Sequence, residues 1–245
     1  MKKWIEIFVS LALLANLNSQ AAFGFSVNQG DQLYVANTEA LCAGYSNCFF
    51  NDTADLPESN ALNKAIKYAR DNSLSGTTIN VLSPYEINSH TIQIDYPVTI
   101  AGKSSGWIST STSDCSRPMF NVTAQATFRD IYLNDGTCSN PSRDLLIINS
   151  ASPVSIEHST LENGQTAVVY QAGTGSLTLQ FNHINANQAA INSTNTDPNS
   201  KLLMVANNIT SNGSPTQVTC AGPSSVDHNF WGDGILPSQS AAGCS

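Results

Sequence analysis

Charge is scarce in this chain. Of its 245 residues only 11% are Asp, Glu, Lys or Arg, and the 10 basic side chains are outnumbered by 18 acidic ones. So few cations exclude a nucleic-acid partner, because phosphate contacts need clustered Lys or Arg. Acidic polysaccharides are repelled overall for the same reason, and no local basic groove is evident to offset that repulsion. Cys-x-x-Cys is absent, and His90, His158, His183 and His228 share no ligand spacing, so neither a metal nor a cofactor is expected. There is also no Ser/His/Asp nucleophile constellation, no phosphate-cradling Gly loop and no metalloprotease His-Glu motif. The apolar run near the start is shorter than the roughly 20 residues a bilayer needs, which argues against a membrane anchor.

That run fits an export leader instead. Lys2 and Lys3 form a positive n-region, Ile7 to Leu17 an apolar core, and Ser19-Gln20-Ala21 a small-x-small cleavage site, so residues 1–21 are expected to be a signal peptide. The mature protein is then secreted, periplasmic or held at the cell surface, with no stable membrane insertion after cleavage. Removing Lys2, Lys3 and Glu6 from the 10 basic and 18 acidic residues leaves 8 and 17, a formal charge of −9.

The chain has 6 cysteines, an even number in an oxidising context, so disulfides are expected. Six cysteines allow 15 connectivities. Spacing favours sequential pairing: Cys42 with Cys48 closes a short loop, while Cys115 to Cys138 and Cys220 to Cys244 span 23 and 24 residues.

A spacing of that size recurs elsewhere, and it sets the architecture. The pattern Ala-Thr-Phe-Arg-Asp-Ile-Tyr-Leu from Ala126 returns in varied form from Val154, Leu177, Leu202 and Ser224, at intervals of 28, 23, 25 and 22 residues. Each copy opens on an apolar-x-apolar triplet or a degraded form of it. Another large apolar residue follows five positions after the second member: Leu133, Leu161, Ile184, Ile209 and Trp231. The period-2 triplet marks a strand, since alternate side chains reach one face. A repeat in the twenties cannot bury that face alone, so copies must stack. With no helical pattern between strands, each pairs in parallel with its counterpart one turn on. Cysteines one repeat apart then lie on adjacent turns about 4.8 Å apart in the pairing direction, compatible with disulfide geometry. Three residues after the second triplet member, the last three copies carry Asn182, Asn207 and Asn229. Their stacked amides are placed to hydrogen-bond along the axis as a ladder.

The pattern resembles the right-handed parallel β-helix, or pectin-lyase-like, superfamily, and within it the secreted bacterial repeat proteins. Asn229-Phe230-Trp231-Gly232 with Pro237 downstream is similar to the last-turn signature of that group. The resemblance spans roughly residues 32–245 and implies an all-β solenoid.

The rest of the chain fits around the repeats as one domain in two stretches. Residues 22–76 hold a short strand at Gln32 to Ala36, a cysteine loop from Cys42 to Glu58, and a capping helix. In that helix Leu62, Ala65, Ile66 and Ala69 share a face, with Asn60 as N-cap. Such a helix covers the open end of a coil, which otherwise exposes unpaired strand edge and an apolar cross-section. Residues 77–245 hold the repeats and a C-terminal cap. Thr78 to Leu82, Tyr85 to Ile87, Thr91 to Ile94 and Pro97 to Ile100 read as its first strands. The polar stretches Gly102 to Pro118 and Gly136 to Arg143 read as bulges, the natural places for a specific contact.

Enzymes of the resembled superfamily usually build their sites on the outward face of one parallel sheet. Alternation assigns that face to Arg129, Glu157, Gln180, Val205 and Asp227, with Thr127, Ser155, Thr178, Leu203 and Ser225 beside them. A calcium-dependent lyase needs several carboxylates converging on one cation plus a Lys or Arg base; the face offers only Glu157 with Arg129 one turn away, which are expected to neutralise one another. A hydrolase needs two carboxylates about 5 to 9.5 Å apart. Asp130, Asp135 and Glu162 lie in neighbouring turns, without the paired-Asp or Gly-His-Gly signatures of the polygalacturonase branch. The function expected is a non-catalytic extracellular surface for adhesion, display, or binding of a glycan or another surface protein. A lyase, hydrolase or epimerase of the pectin-lyase-like class is the alternative.

Overall fold

The computed structural model describes residues 31–54, 56–103, 106–110, 115–136, 143–185, 187–210, 212–232 and 241–244. The expected leader therefore lies outside the described residues, as do Cys138 and Pro237. Three all-parallel sheets form a β-solenoid in which the chain visits the first, second and third sheet in turn. Six turns give one described strand to each sheet. They run from Thr78–Leu82, Tyr85–Ile87 and Ile92–Ile94 to Leu202–Val205, Asn208–Thr210 and Val218–Cys220.

Register follows the repeat. Ala126 pairs with Val98 and Val154, Val154 with Leu177, Leu177 with Leu202, and Leu202 with Ser224. Alternation turns Val98, Ala126, Val154, Leu177 and Leu202 inward as one buried column, and Ile100, Phe128, Ile156, Leu179 and Met204 as a second. The second sheet adds Ile108, Leu133, Leu161, Ile184 and Ile209, paired turn to turn. Each such side chain contributes about 1.5–3 kcal/mol on leaving water. One turn supplies only a few of them, and the stack makes them continuous.

Helix α1 (Ala61–Asp71) buries Ala61, Leu62, Ala65, Ile66 and Ala69. It packs on the first-sheet strands Gln32–Ala36 and Cys48–Phe50 and on Ile92–Ile94 of the third sheet. The Asn60 side chain caps it, accepting from Leu62 N at 3.0 Å. The same amide N–H donates to the Tyr85 hydroxyl at 3.0 Å, and that hydroxyl donates to Asn60 Oδ1 at 2.5 Å. Complete burial pushes the Tyr85 hydroxyl far above its ordinary pKa. Helix and first turn are thus joined by a buried polar knot that satisfies the Leu62 N–H.

Two stretches differ from the reading of the sequence. Cys48–Phe50, expected as loop, is the edge strand of the first sheet, paired with Tyr34–Ala36. The Cys42–Cys48 disulfide closes the connection leading into it. Trp107–Thr110, expected inside a polar bulge, is a rung of the second sheet between Tyr85–Ile87 and Tyr132–Asn134. Among its described side chains Ile108 alone is buried, too little for an alternation to register. Cys220 and Cys244 are bridged, tying Ala241–Ala242 to Val218–Thr219. Cys115 is also disulfide-bonded.

Candidate functional site

The outward face of the first sheet brings Arg129, Glu157, Gln180 and Val205 into one row, one strand apart at each step. Thr99, Thr127, Ser155, Thr178, Leu203 and Ser225 form the parallel row two residues upstream. Asp227 lies beyond the last strand of the sheet and is exposed, its carboxylate accepting from Ser225 Oγ at 2.8 Å. One expectation fails. Arg129 and Glu157 are register partners, but no ion pair joins them among the described residues, and Glu157 Oε2 instead accepts from Gln180 Nε2 at 2.9 Å. A planar amide one turn on reaches the carboxylate, while the guanidinium stays exposed to water; an exposed pair would add little in any case.

Past this face the chain turns sharply. Asp130, His158, Phe181, Ala206 and His228 occupy the same corner of successive turns, all left-handed with φ between 49° and 57°. The next residue feeds a ladder. Ser159 N donates to Asn182 Oδ1 at 3.0 Å, Asn182 N to Asn207 Oδ1 at 3.0 Å, and Asn207 N to Asn229 Oδ1 at 2.9 Å. The amide groups reach along the axis too, from Asn182 Nδ2 to Asn207 Oδ1 at 3.0 Å and from Asn207 Nδ2 to Asn229 Oδ1 at 2.8 Å. These three asparagines point into the turn and satisfy backbone groups that the left-handed corner leaves without sheet partners. A second ladder, unforeseen, stands at the next corner. Gly164 N donates to Asn187 Oδ1 at 2.9 Å and Asn187 N to Asn212 Oδ1 at 3.0 Å. The 25-residue interval between Asn187 and Asn212, equal to that between Leu177 and Leu202, was its signal.

The second sheet carries the denser polar chemistry. Asn134 Nδ2 donates to Glu162 Oε1 and to the Tyr132 hydroxyl, both at 2.9 Å, and Tyr132 packs edge-on against Trp107 with centroids 4.4 Å apart. Burial raises the Glu162 pKa above its ordinary value, against the opposing pull of His183 and a hydrogen bond with Asn185. Of the other two acids considered for hydrolysis, Asp130 is exposed at the corner. Asp135 is sealed, with Arg143 Nε 3.1 Å from its Oδ2 and both side chains at or below 2% exposure. A carboxylate sealed against a buried guanidinium is closed to a substrate, so Asp135 takes no part in a hydrolytic pair.

Among the described residues, no group of three His, Cys, Asp or Glu side chains could hold a metal ion, and no helix is long and apolar enough to cross a membrane. No protein-family model, curated protein or solved structure matches the chain.

Proposed function

We propose that this chain is an exported, non-catalytic β-helix of pectin-lyase-like type that works as a rigid surface for adhesion, display, or binding of a glycan or another surface protein. The observation that carries the reading is the row Arg129, Glu157, Gln180 and Val205, in which one cation, one carboxylate held by a neutral amide and one apolar side chain stand at strand spacing. With Glu157 as its one carboxylate, and that held by Gln180, the row lacks the several carboxylates a multidentate cation site needs. The disulfides Cys42–Cys48 and Cys220–Cys244 support an oxidising destination. Shallow, mixed surfaces on a stiff scaffold suit contact with an extended partner.

The test is a glycan array run beside an absorbance assay for unsaturated uronates, using pectate and alginate with calcium. Binding without product is expected. Product formed by the wild type and abolished when Arg129 and Glu157 are both changed to Ala would overturn the non-catalytic reading and put a lyase site on this face.

A further inference from the structure

Three of the large apolar side chains most exposed to solvent lie on one strip. Trp107 is 42% exposed, Phe181 54% and Phe230 52%. Register explains the alignment. Trp107 pairs with Tyr132, Tyr132 with Thr160, Thr160 with His183, His183 with Asn208, and Asn208 bridges to Phe230. Phe181 stands at the corner two residues before His183, and the His158 ring stacks against it with centroids 5.1 Å apart and planes 14° from parallel. Trp107 and Phe230 therefore stand in one column along the coil axis, five turns or about 24 Å apart at about 4.8 Å per turn, with Phe181 in the corner column beside it.

Their composition argues for one kind of occupant. A protein-docking patch is apolar at its centre and polar at its rim, whereas here the column from Trp107 and Tyr132 to Phe230 runs through the hydroxyl of Thr160, the imidazole of His183 and the amide of Asn208. Ring faces that take C–H surface, beside groups that both donate and accept, are the chemistry that sugar rings present. Charge narrows it further. Asp130, Glu157, Glu162 and Asp227 flank the strip, with Arg129 the nearest cation in the register, so an anionic polymer is repelled.

We infer that the strip from Trp107 through Phe181 to Phe230 binds a neutral oligosaccharide laid along the coil axis, its sugar rings on the aromatic faces and its hydroxyls on the neighbouring polar side chains. The inference rests on the binding reading above and fixes where the ligand sits and what it is. It places recognition on the second sheet and its corner, apart from the first-sheet row.

The full mature protein carries its own reporter. Of 3 tryptophans, Trp4 belongs to the expected leader and Trp231 is only 4% exposed, so Trp107 is the solvent-facing fluorophore. Titration with cello-, laminari- and xylo-oligosaccharides of two to six units should shift and quench that emission, with affinity climbing as the ligand lengthens toward the span of the strip. Trp107→Ala, read by calorimetry, and Phe181→Ala should each weaken binding ten-fold or more at unchanged Tm, while Trp107→Phe keeps most of it. Wild-type affinity in both alanine variants overturns the strip and leaves the binding function standing. Binding of acidic polysaccharide or of a defined protein, with none of these oligosaccharides bound, overturns the ligand class alone. Uronate products without binding overturn both readings.

Discussion

At the corner between the first and second sheets, one residue on each of five successive turns is left-handed and none of the five is glycine. That conformation costs an L-residue about 1–2 kcal/mol, and the Asn ladder is what holds the backbone there. Ala206, at φ 55°, has no side chain beyond Cβ to help. Ala206→Gly should raise stability by about 0.5 kcal/mol after its entropic cost, whereas Ala206→Val should lower it by more than about 1 kcal/mol, since β-branching is worst there. Chemical denaturation that ranks Val at or above Gly would mean the corner is not strained. A second residue-scale effect concerns Asp144. Burial raises its pKa from 3.8, against hydrogen bonds from Thr166. A raised folded pKa stabilises below the unfolded value, and that contribution is lost as pH climbs through the folded one. Asp144→Asn should therefore melt above the wild type at neutral pH, with the gap closing as pH falls to about 3.8. A neutral variant less stable at pH 7 would show that the Thr166 bonds outweigh burial.

The ladder is the element on which the turns hang. Asn207 accepts from Asn182 N and Nδ2, both at 3.0 Å, and donates to Leu179 O at 2.9 Å and Asn229 Oδ1 at 2.8 Å. Asn207→Leu strands groups on both neighbouring turns, each costing about 1–3 kcal/mol when buried without a partner. A loss of at least about 2 kcal/mol is expected by denaturant titration, and an unchanged midpoint would mean that water replaces the amide. The buried Arg143–Asp135 pair is a different device. It joins the end of the second-sheet strand Tyr132–Asn134 to the approach of the third-sheet strand Leu146–Ile148 in the same turn, inside the core rather than along its axis.

At the scale of the whole molecule, stability is a sum over neighbouring turns. The last sheet strand described, Ala241–Ala242, pairs with Val218–Thr219 and is tied there by Cys220–Cys244, which closes a 24-residue separation. Replacing both cysteines by Ser should cost about 3 kcal/mol on the chain-entropy model. The loss should be local. In hydrogen exchange, Val218–Cys220 should lose protection while Val154–Glu157 keeps it. Equal loss across all turns would show that the coil unfolds as one unit and not from its end.

The alternation and the repeat interval were enough to place the repeat strands of the first sheet, their register, and the Asn182, Asn207 and Asn229 stack, and the helical period placed the capping helix with Asn60; the edge strand Cys48–Phe50 escaped both. These are legible because inward side chains recur at fixed offsets and must coincide turn upon turn to bury their apolar surface. The outer surface follows no such rule. Whether Glu157 meets Arg129 or Gln180 depends on the reach of a side chain 23 or 28 residues away in sequence, and nothing in the spacing chooses between them. The rung at Trp107, the Asn187–Asn212 ladder, the sealing of Asp135 by Arg143 and the aromatic strip were likewise decided by packing. An outward side chain answers to neighbours on adjacent turns, and only the closed coil brings those neighbours together.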